Sequence, residues 1–399
     1  MNKPLIVIFA AIALDAVGIG LIFPILPRLI EDVTHAANVA SYVGVLTALY
    51  AAMQFVFAPV LGALSDRLGR RPVLLISLGG AAVNYVLMAF APSLWLLIVG
   101  RAIAGLTSAN ISVATAYITD ISPESTRARR FGLFNAMFGI GFILGPILGG
   151  VLGDYGLRLP FIAAAVLNAG NLLLALLVLP ESRMPSREKI DFAALNPLRP
   201  LRWAFSMKTL MPVIGVFFIL SATGEVYGTC WALWGHDVFR WNGLWIGLSL
   251  GTFGVCQALA QAVLPGPAVQ WLGERGVVLT GIAGACVALV VMAFATQGWV
   301  VFAIMPVVAL AGLGTPALQS LATRLVDESR QGQFQGVLAS AMSLASIVGP
   351  LVFSSVYFVV RERWPGAIWL SALIVNAIAV PLVLSLRFSA TRDSVRGLS

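Results

Sequence analysis

Charged side chains are scarce in this chain. Asp, Glu, Lys and Arg make up 11% of its 399 residues against 59% apolar ones, with a mean hydropathy of +0.93. A soluble domain of that size could not wet its surface with so few, so the composition reads as an integral membrane protein. Cysteine is nearly absent: Cys230, Cys256 and Cys286 fall in apolar segments without paired spacing, which excludes a disulfide framework and a thiolate metal site. The net charge is +8, yet there is no run of five basic residues and no aromatic-interleaved basic face, which excludes nucleic acid as the partner. No G-x-x-x-x-G-K-[ST] loop occurs, which removes ATP as the direct energy source. No nucleophile–base pair or metal-ligand cluster is visible either, so neither an enzyme nor a bound metal or cofactor is expected.

What is abundant is apolar runs of membrane-crossing length. About 20 apolar residues in a helix span the hydrocarbon. Twelve such segments are placed at 4–27, 40–63, 73–92, 94–118, 131–153, 159–180, 209–232, 243–264, 276–296, 298–322, 334–358 and 366–386. The N-terminal run is interrupted by Asp15 and lacks a convincing cleavage site, so it reads as a retained first helix. The one long connector, 181–208, separates a unit at 1–180 from a unit at 209–399. Gly62 and Gly69 are matched 204 residues on by Gly266 and Gly273, and Gly145-Pro146 by Gly349-Pro350. One constant offset over separate landmarks indicates duplication. The predicted fold is therefore an all-α membrane protein of twelve transmembrane helices in two six-helix pseudo-repeats. Arg28, Arg158, Arg240, Arg361 and Arg363 fall on one side of the bilayer and Arg101 within a helix, which leaves 19 of the 25 Lys and Arg on the side of the termini. The positive-inside rule then makes both termini cytoplasmic.

The stretch from Gly62 to Pro72, GALSDRLGRRP, is a charged connector between two apolar runs. Gly62 is expected to let the second helix approach a neighbour, and Gly69 to permit a tight turn. Asp66 can accept from Arg67, from Arg70 or from the N-terminal amides of a nearby helix, an arrangement suited to latching one conformation. Topology alone accounts for cations such as Arg71, but it does not require an acid between paired glycines. Three further ionisable groups are embedded: Asp15, Arg101 and Glu225. Charges at that depth cost a few kcal/mol on insertion scales unless paired or facing a cavity, which marks each as functional. Glu225 reads as a protonation or cation-binding site in the second half, or as a glutamate bonded within the bundle. Gln54, Asn110, Gln261 and Gln319, with Trp231 and Trp234 as stacking surfaces, are candidate cavity-lining groups beside Asn84 and Gln257. A mostly apolar cavity with scattered amides and one or two acids suits an amphipathic substrate.

The segment GALSDRLGRR resembles the signature loop of the major facilitators, and Gly141, Gly145, Pro146, Gly149 and Gly150 resemble the antiporter signature of helix five. Leu14–Ile22, Ala48–Phe55, Val56–Leu74, Val326–Gln333 and Ile347–Leu351 further resemble the tetracycline-type drug/proton antiporters, over nearly the whole chain. The resemblance implies efflux of an amphipathic, tetracycline-like drug in exchange for protons across a bacterial inner membrane, by a chain functional as a monomer. It implies no cofactor, although such a substrate can arrive as a divalent-metal chelate. It assigns proton coupling to Asp15 and Arg101, because a guanidinium near a carboxylate favours the ionised form and its withdrawal lets the proton return. A static ion pair is the plainer alternative. The latch would comprise Gly62, Asp66, Arg67, Gly69, Arg70 and Arg71 with the helix-four acid Asp120, followed by Arg127 and Arg130. Three positions depart from the family: Asn84 and Ala285 replace acids, and Gln257 replaces a histidine. Asn84 and Gln257 can hydrogen-bond a substrate without carrying charge, and Glu225 is available to compensate. The alternative function is a facilitator or exporter of an endogenous metabolite without obligatory proton coupling.

Overall fold

A computed structural model describes residues 3–36, 38–183, 196–199, 202, 210–323, 326 and 330–385. Most of the 181–208 linker, and residues 327–329 of the family-like run Val326–Gln333, lie outside the described residues. Among the described residues, twelve helices are long and apolar enough to cross a membrane: α1 Leu5–Ile22, α2 Val39–Leu68, α3 Arg70–Phe90, α4 Leu94–Asp120, α5 Glu124–Tyr155, α6 Leu159–Val178, α7 Met211–Phe239, α8 Gly243–Val263, α9 Pro265–Phe294, α10 Gly298–Ala322, α11 Gln333–Val360 and α12 Ala367–Ser385. No strand occurs among the described residues.

The duplication is written into the helix ends. Asn38 caps α2 by accepting from the Ser41 amide, and Asn242, 204 residues on, caps α8 by accepting from the Trp245 amide, both at 3.2 Å. Each side-chain oxygen satisfies an amide that the first helical turn leaves unpaired. The helix break at Ser108-Ala109 in α4 recurs at Gly312-Leu313 in α10. Gly69 and Gly273 both take positive φ, +103° and +68°, the region that a β-carbon disfavours. Arg71 donates to the Leu176 carbonyl near the end of α6, and Arg275 to the Leu384 carbonyl near the end of α12, both at 2.7 Å. A cation on the last carbonyls of a helix also meets the negative end of its dipole.

One expectation changes here. The Gly62–Pro72 stretch is not a connector outside the helices: α2 runs to Leu68, α3 starts at Arg70, and Gly69 alone breaks the helix. At 30 residues α2 is about 45 Å long, well beyond the hydrocarbon thickness, so its charged last turns lie outside the apolar slab without ceasing to be helix. Gly62 is not a close-approach glycine, since nothing lies within 4 Å of where its β-carbon would be.

In the first half α1 packs on α5 and α6, α3 on α4 and α6, and α2 on α4; in the second α7 packs on α11, α9 on α10 and α12, and α8 on α10. The halves meet through α2 against α11 and α5 against α8. Their apolar cores divide unequally. At the end bearing Asp154 one cluster runs across both halves, from Leu29, Val43 and Phe161 to Trp234, Phe353 and Trp369. Towards the end bearing Gly69 each half keeps its own core, around Ile8, Val73 and Tyr117 in the first and Val216, Val278 and Phe334 in the second.

Candidate functional site

Two of the cavities formed by the described residues share lining residues inside the bundle. The first, of about 530 Å³, is lined from the first half by Asp15, Tyr50, Gln54, Asn84, Arg101 and Asn110, and from the second by Glu225 and Ser346. The second, of about 430 Å³, is walled by second-half residues including Trp231, Phe253 and Gln257, with Phe23, Phe142 and Pro146 from the first half. Phe23, Glu225 and Gly228 line both.

The three embedded ionisable groups therefore share one cavity, but Asp15 and Arg101 do not form an ion pair. Asp15 is buried and accepts a hydrogen bond from Asn110 Nδ2 at 3.0 Å. The Arg101 guanidinium lies over the Tyr50 ring, 5.3 Å from its centroid, where the ring's electron-rich face stabilises a cation. Tyr50 Oη lies 2.8 Å from Ser108 Oγ, which also accepts from Gln54 Nε2 at 3.0 Å. The break in α4 thus supplies a hydroxyl that fixes two cavity residues. Glu225 Oε1 accepts from Ser346 Oγ at 2.6 Å.

Among the predicted lining residues, Asn84 is buried with its Oδ1 unpaired, and the Asn110 Oδ1 and Gln257 Oε1 oxygens are likewise buried and unpaired. Unpaired buried oxygens inside a cavity wall retain the capacity to accept from a ligand. Trp231 presents its ring to the second cavity while Nε1 donates to Ser249 at 2.9 Å. Gln261 and Gln319 do not belong to either cavity: Gln261 is exposed, and Gln319, also exposed, donates to Gln335 at 3.2 Å. Trp234 is fully buried in an aromatic cluster with Phe239 and Trp369, so it offers no stacking surface.

The charged cluster around Gly69 is centred on Arg70, which is buried. It donates to Asp120 Oδ2 and Ser65 Oγ at 3.0 and 3.1 Å and contacts Asp66 Oδ1 at 2.8 Å. Asp66 also pairs with Arg183 at 3.0 Å. The N-terminal amides of α3 go not to Asp66 but to Glu181, whose Oε1 accepts from the Arg70 amide at 2.7 Å. Sequence reasoning missed Glu181; the available signal was its place as the first acid after the α6 run. Arg67 is exposed, and Arg127 and Arg130 stand apart from Asp66, Arg130 donating instead to the Ile121 carbonyl and Ser122 Oγ. In the second repeat Glu274 replaces Arg70 and accepts from Ser320 Oγ at 2.6 Å, so the tie from this loop to α10 persists with different chemistry.

The glycines of α5 bring backbones together. β-Carbons at Gly141, Gly145 and Gly149 would strike the carbonyls of Ala13, Val17 and Leu21 on α1, and one at Gly150 the Gly243 carbonyl on α8. Small residues at such spacing let helices touch at van der Waals distance. Beside this contact Asp154, also unforeseen, accepts from the Gly243 and Leu244 amides, and Arg28 donates to it, all at 3.0 Å.

A cavity enclosed by two repeated six-helix halves, with its ionisable groups on helices long and apolar enough to cross a membrane, defines the class. The chain belongs to the Major Facilitator Superfamily, whose sequence profile matches residues 8–254 and again 204–397; it is a multi-pass membrane transporter, not an enzyme. Within that superfamily it groups with the tetracycline resistance proteins. It is 48% identical over 380 residues to Tetracycline resistance protein, class C, of Escherichia coli, covering 95% of this chain and 96% of that one. It is 43% identical over 383 residues to the class G protein of Vibrio anguillarum, covering 96% and 98%. The crystal structure of the nucleoside transporter NupG shares the fold, with a TM-score of 0.80 at 15% identity over 97% of this chain and 98% of that one.

Proposed function

We propose that this chain is a secondary active exporter that moves an amphipathic drug of the tetracycline class across the bacterial inner membrane in exchange for protons, by alternating access. The observation that carries the reading is the cavity between the halves holding Asp15 and Arg101 in its wall. An ionisable carboxylate and a permanent cation that share a cavity without being locked together give a proton site whose occupancy a moving guanidinium or a bound substrate can change. With both termini cytoplasmic, the Gly69 end faces the cytoplasm and the Asp154 end the periplasm. Halves joined at the periplasmic end and separate at the cytoplasmic end correspond to the inward-facing member of the alternating pair. One chain encloses the cavity, which supports function as a monomer. A tetracycline arriving as a divalent-metal chelate is cargo in this scheme, and no cofactor is involved.

The test is proton release from energised everted vesicles. Addition of tetracycline is expected to release protons from vesicles that contain the chain, and Asp15→Asn to abolish both release and drug accumulation. The absence of charge at Asn84, Gln257 and Ala285 favours one rival, a metabolite facilitator or exporter without obligatory coupling. Drug accumulation that persists in Asp15→Asn with no proton movement in either protein would decide for that rival.

A further inference from the structure

The wall shared by the two cavities carries a charge of its own. Among the described residues, Glu225 is the sole charged one lining the second cavity, and it also faces the first. Its partner is a neutral hydroxyl, Ser346 Oγ at 2.6 Å, and no cation pairs with it among the described residues. A carboxylate within a membrane bundle, left without a counter-cation, is costly to keep. Its position is nevertheless held firmly. Gly349 lies one turn beyond Ser346 on α11, where an added β-carbon would come within 2.8 Å of Glu225 Cβ. On α7 the flanking cavity residues Gly224 and Gly228 carry no side chains, so the carboxylate stands clear towards both chambers. Around it the second chamber is aromatic and apolar, with Phe23, Tyr227, Trp231 and Phe253 in its wall.

We infer that Glu225 is the recognition site for the positive charge of a lipophilic cation whose apolar body lies among the aromatic residues of the second chamber. A carboxylate supplies the charge complement, and ring faces add cation–π attraction and apolar burial. The Ser346 bond and the Gly349 contact fix the carboxylate before the ligand arrives, which limits the ordering cost of binding. Glu225 thereby acts as a specificity-determining residue. The inference rests on the transport reading only in calling the occupant a substrate.

The experiment is equilibrium binding by calorimetry to the purified full chain in detergent. The probes are tetraphenylphosphonium, a lipophilic cation with no proton to exchange, and neutral triphenylphosphine oxide. Glu225→Gln is expected to weaken tetraphenylphosphonium by at least about tenfold while leaving the neutral probe within about twofold. Glu225→Asp retains the charge and is expected to keep most of the affinity, which separates a lost charge from a lost fold. Glu124→Gln, which removes an exposed carboxylate at the start of α5, is expected to change neither probe. Equal binding of the cation by wild type and Glu225→Gln, parallel loss of both probes, or no binding of the cation by wild type would each overturn the inference. None of those outcomes alters the proton-release measurement, so the two readings fail separately.

Discussion

Asp154, in the last turn of α5, accepts a hydrogen bond from the Gly243 amide at the first turn of α8, in the other half of the protein. Its second carboxylate oxygen takes the Leu244 amide at 3.0 Å, so an anion from one half caps a helix of the other. That position satisfies two orphan amides and places negative charge at the positive end of the α8 dipole. Gly150 and Gly243 make the approach feasible by removing the β-carbons that would separate the backbones.

Asp154→Ala is therefore expected to loosen this end of the molecule without unfolding it. Charge-assisted bonds of this kind contribute about 1.5–3 kcal/mol, and the 25% exposure of the Asp154 side chain places the effect towards the lower figure. Hydrogen exchange followed by mass spectrometry should show faster exchange in a peptide covering 243–247, with peptides from α3 and α9 unchanged. Unaltered protection at 243–247 would mean that the cap holds nothing.

At the opposite end the Arg70 cluster separates two effects that the sequence treats as one. Arg70 is buried and bridges Asp120 and Asp66, whereas the Asp66 side chain is 56% exposed. Removing a buried partner strands the others, so Arg70→Ala is expected to cost on the order of 3 kcal/mol. Asp66→Ala should cost less than about 1 kcal/mol in stability. Its effect belongs to transport: drug efflux should fall far more in Asp66→Ala than in Gln270→Ala, the exposed counterpart in the second repeat. Equal efflux by those two variants would remove the latch as a role peculiar to the first repeat.

Much of the architecture was legible because membrane helices announce themselves by composition and because duplication repeats its landmarks. Gly69 and Gly273, marked by their spacing alone, both take the positive φ that a turn glycine serves. Helix ends were harder, since hydropathy reports contact with lipid and α2 continues as helix past its last lipid-facing turn to Leu68. Facing was harder still. A helix that is apolar towards both lipid and core gives periodicity no polar stripe to find, so spacing did not separate Gln54 and Gln257, which reach the cavities, from Gln261 and Gln319, which do not. Embedded charges identified Asp15, Arg101 and Glu225, yet their partners depend on helix rotation and side-chain rotamer. Asn110, Tyr50 and Ser346 could not be assigned to them from spacing.

The two turn glycines give a paired test of what Gly69 contributes beyond backbone freedom. Both need a positive φ, so alanine strains each by roughly 1–2 kcal/mol. Nothing lies within 4 Å of a β-carbon at Gly273, whereas at Gly69 it would collide with the Glu181 carboxylate that binds the first amides of α3. Gly69→Ala must therefore also displace Glu181 and leave the Arg70 amide without its acceptor, an added loss of about 1–3 kcal/mol. Thermal unfolding in detergent should show a clearly larger drop in Tm for Gly69→Ala than for Gly273→Ala. In a Glu181→Ala background, where the carboxylate is already gone, the two alanine substitutions should converge. Persistence of the full difference in that background would show that Glu181 is not what distinguishes the two turns.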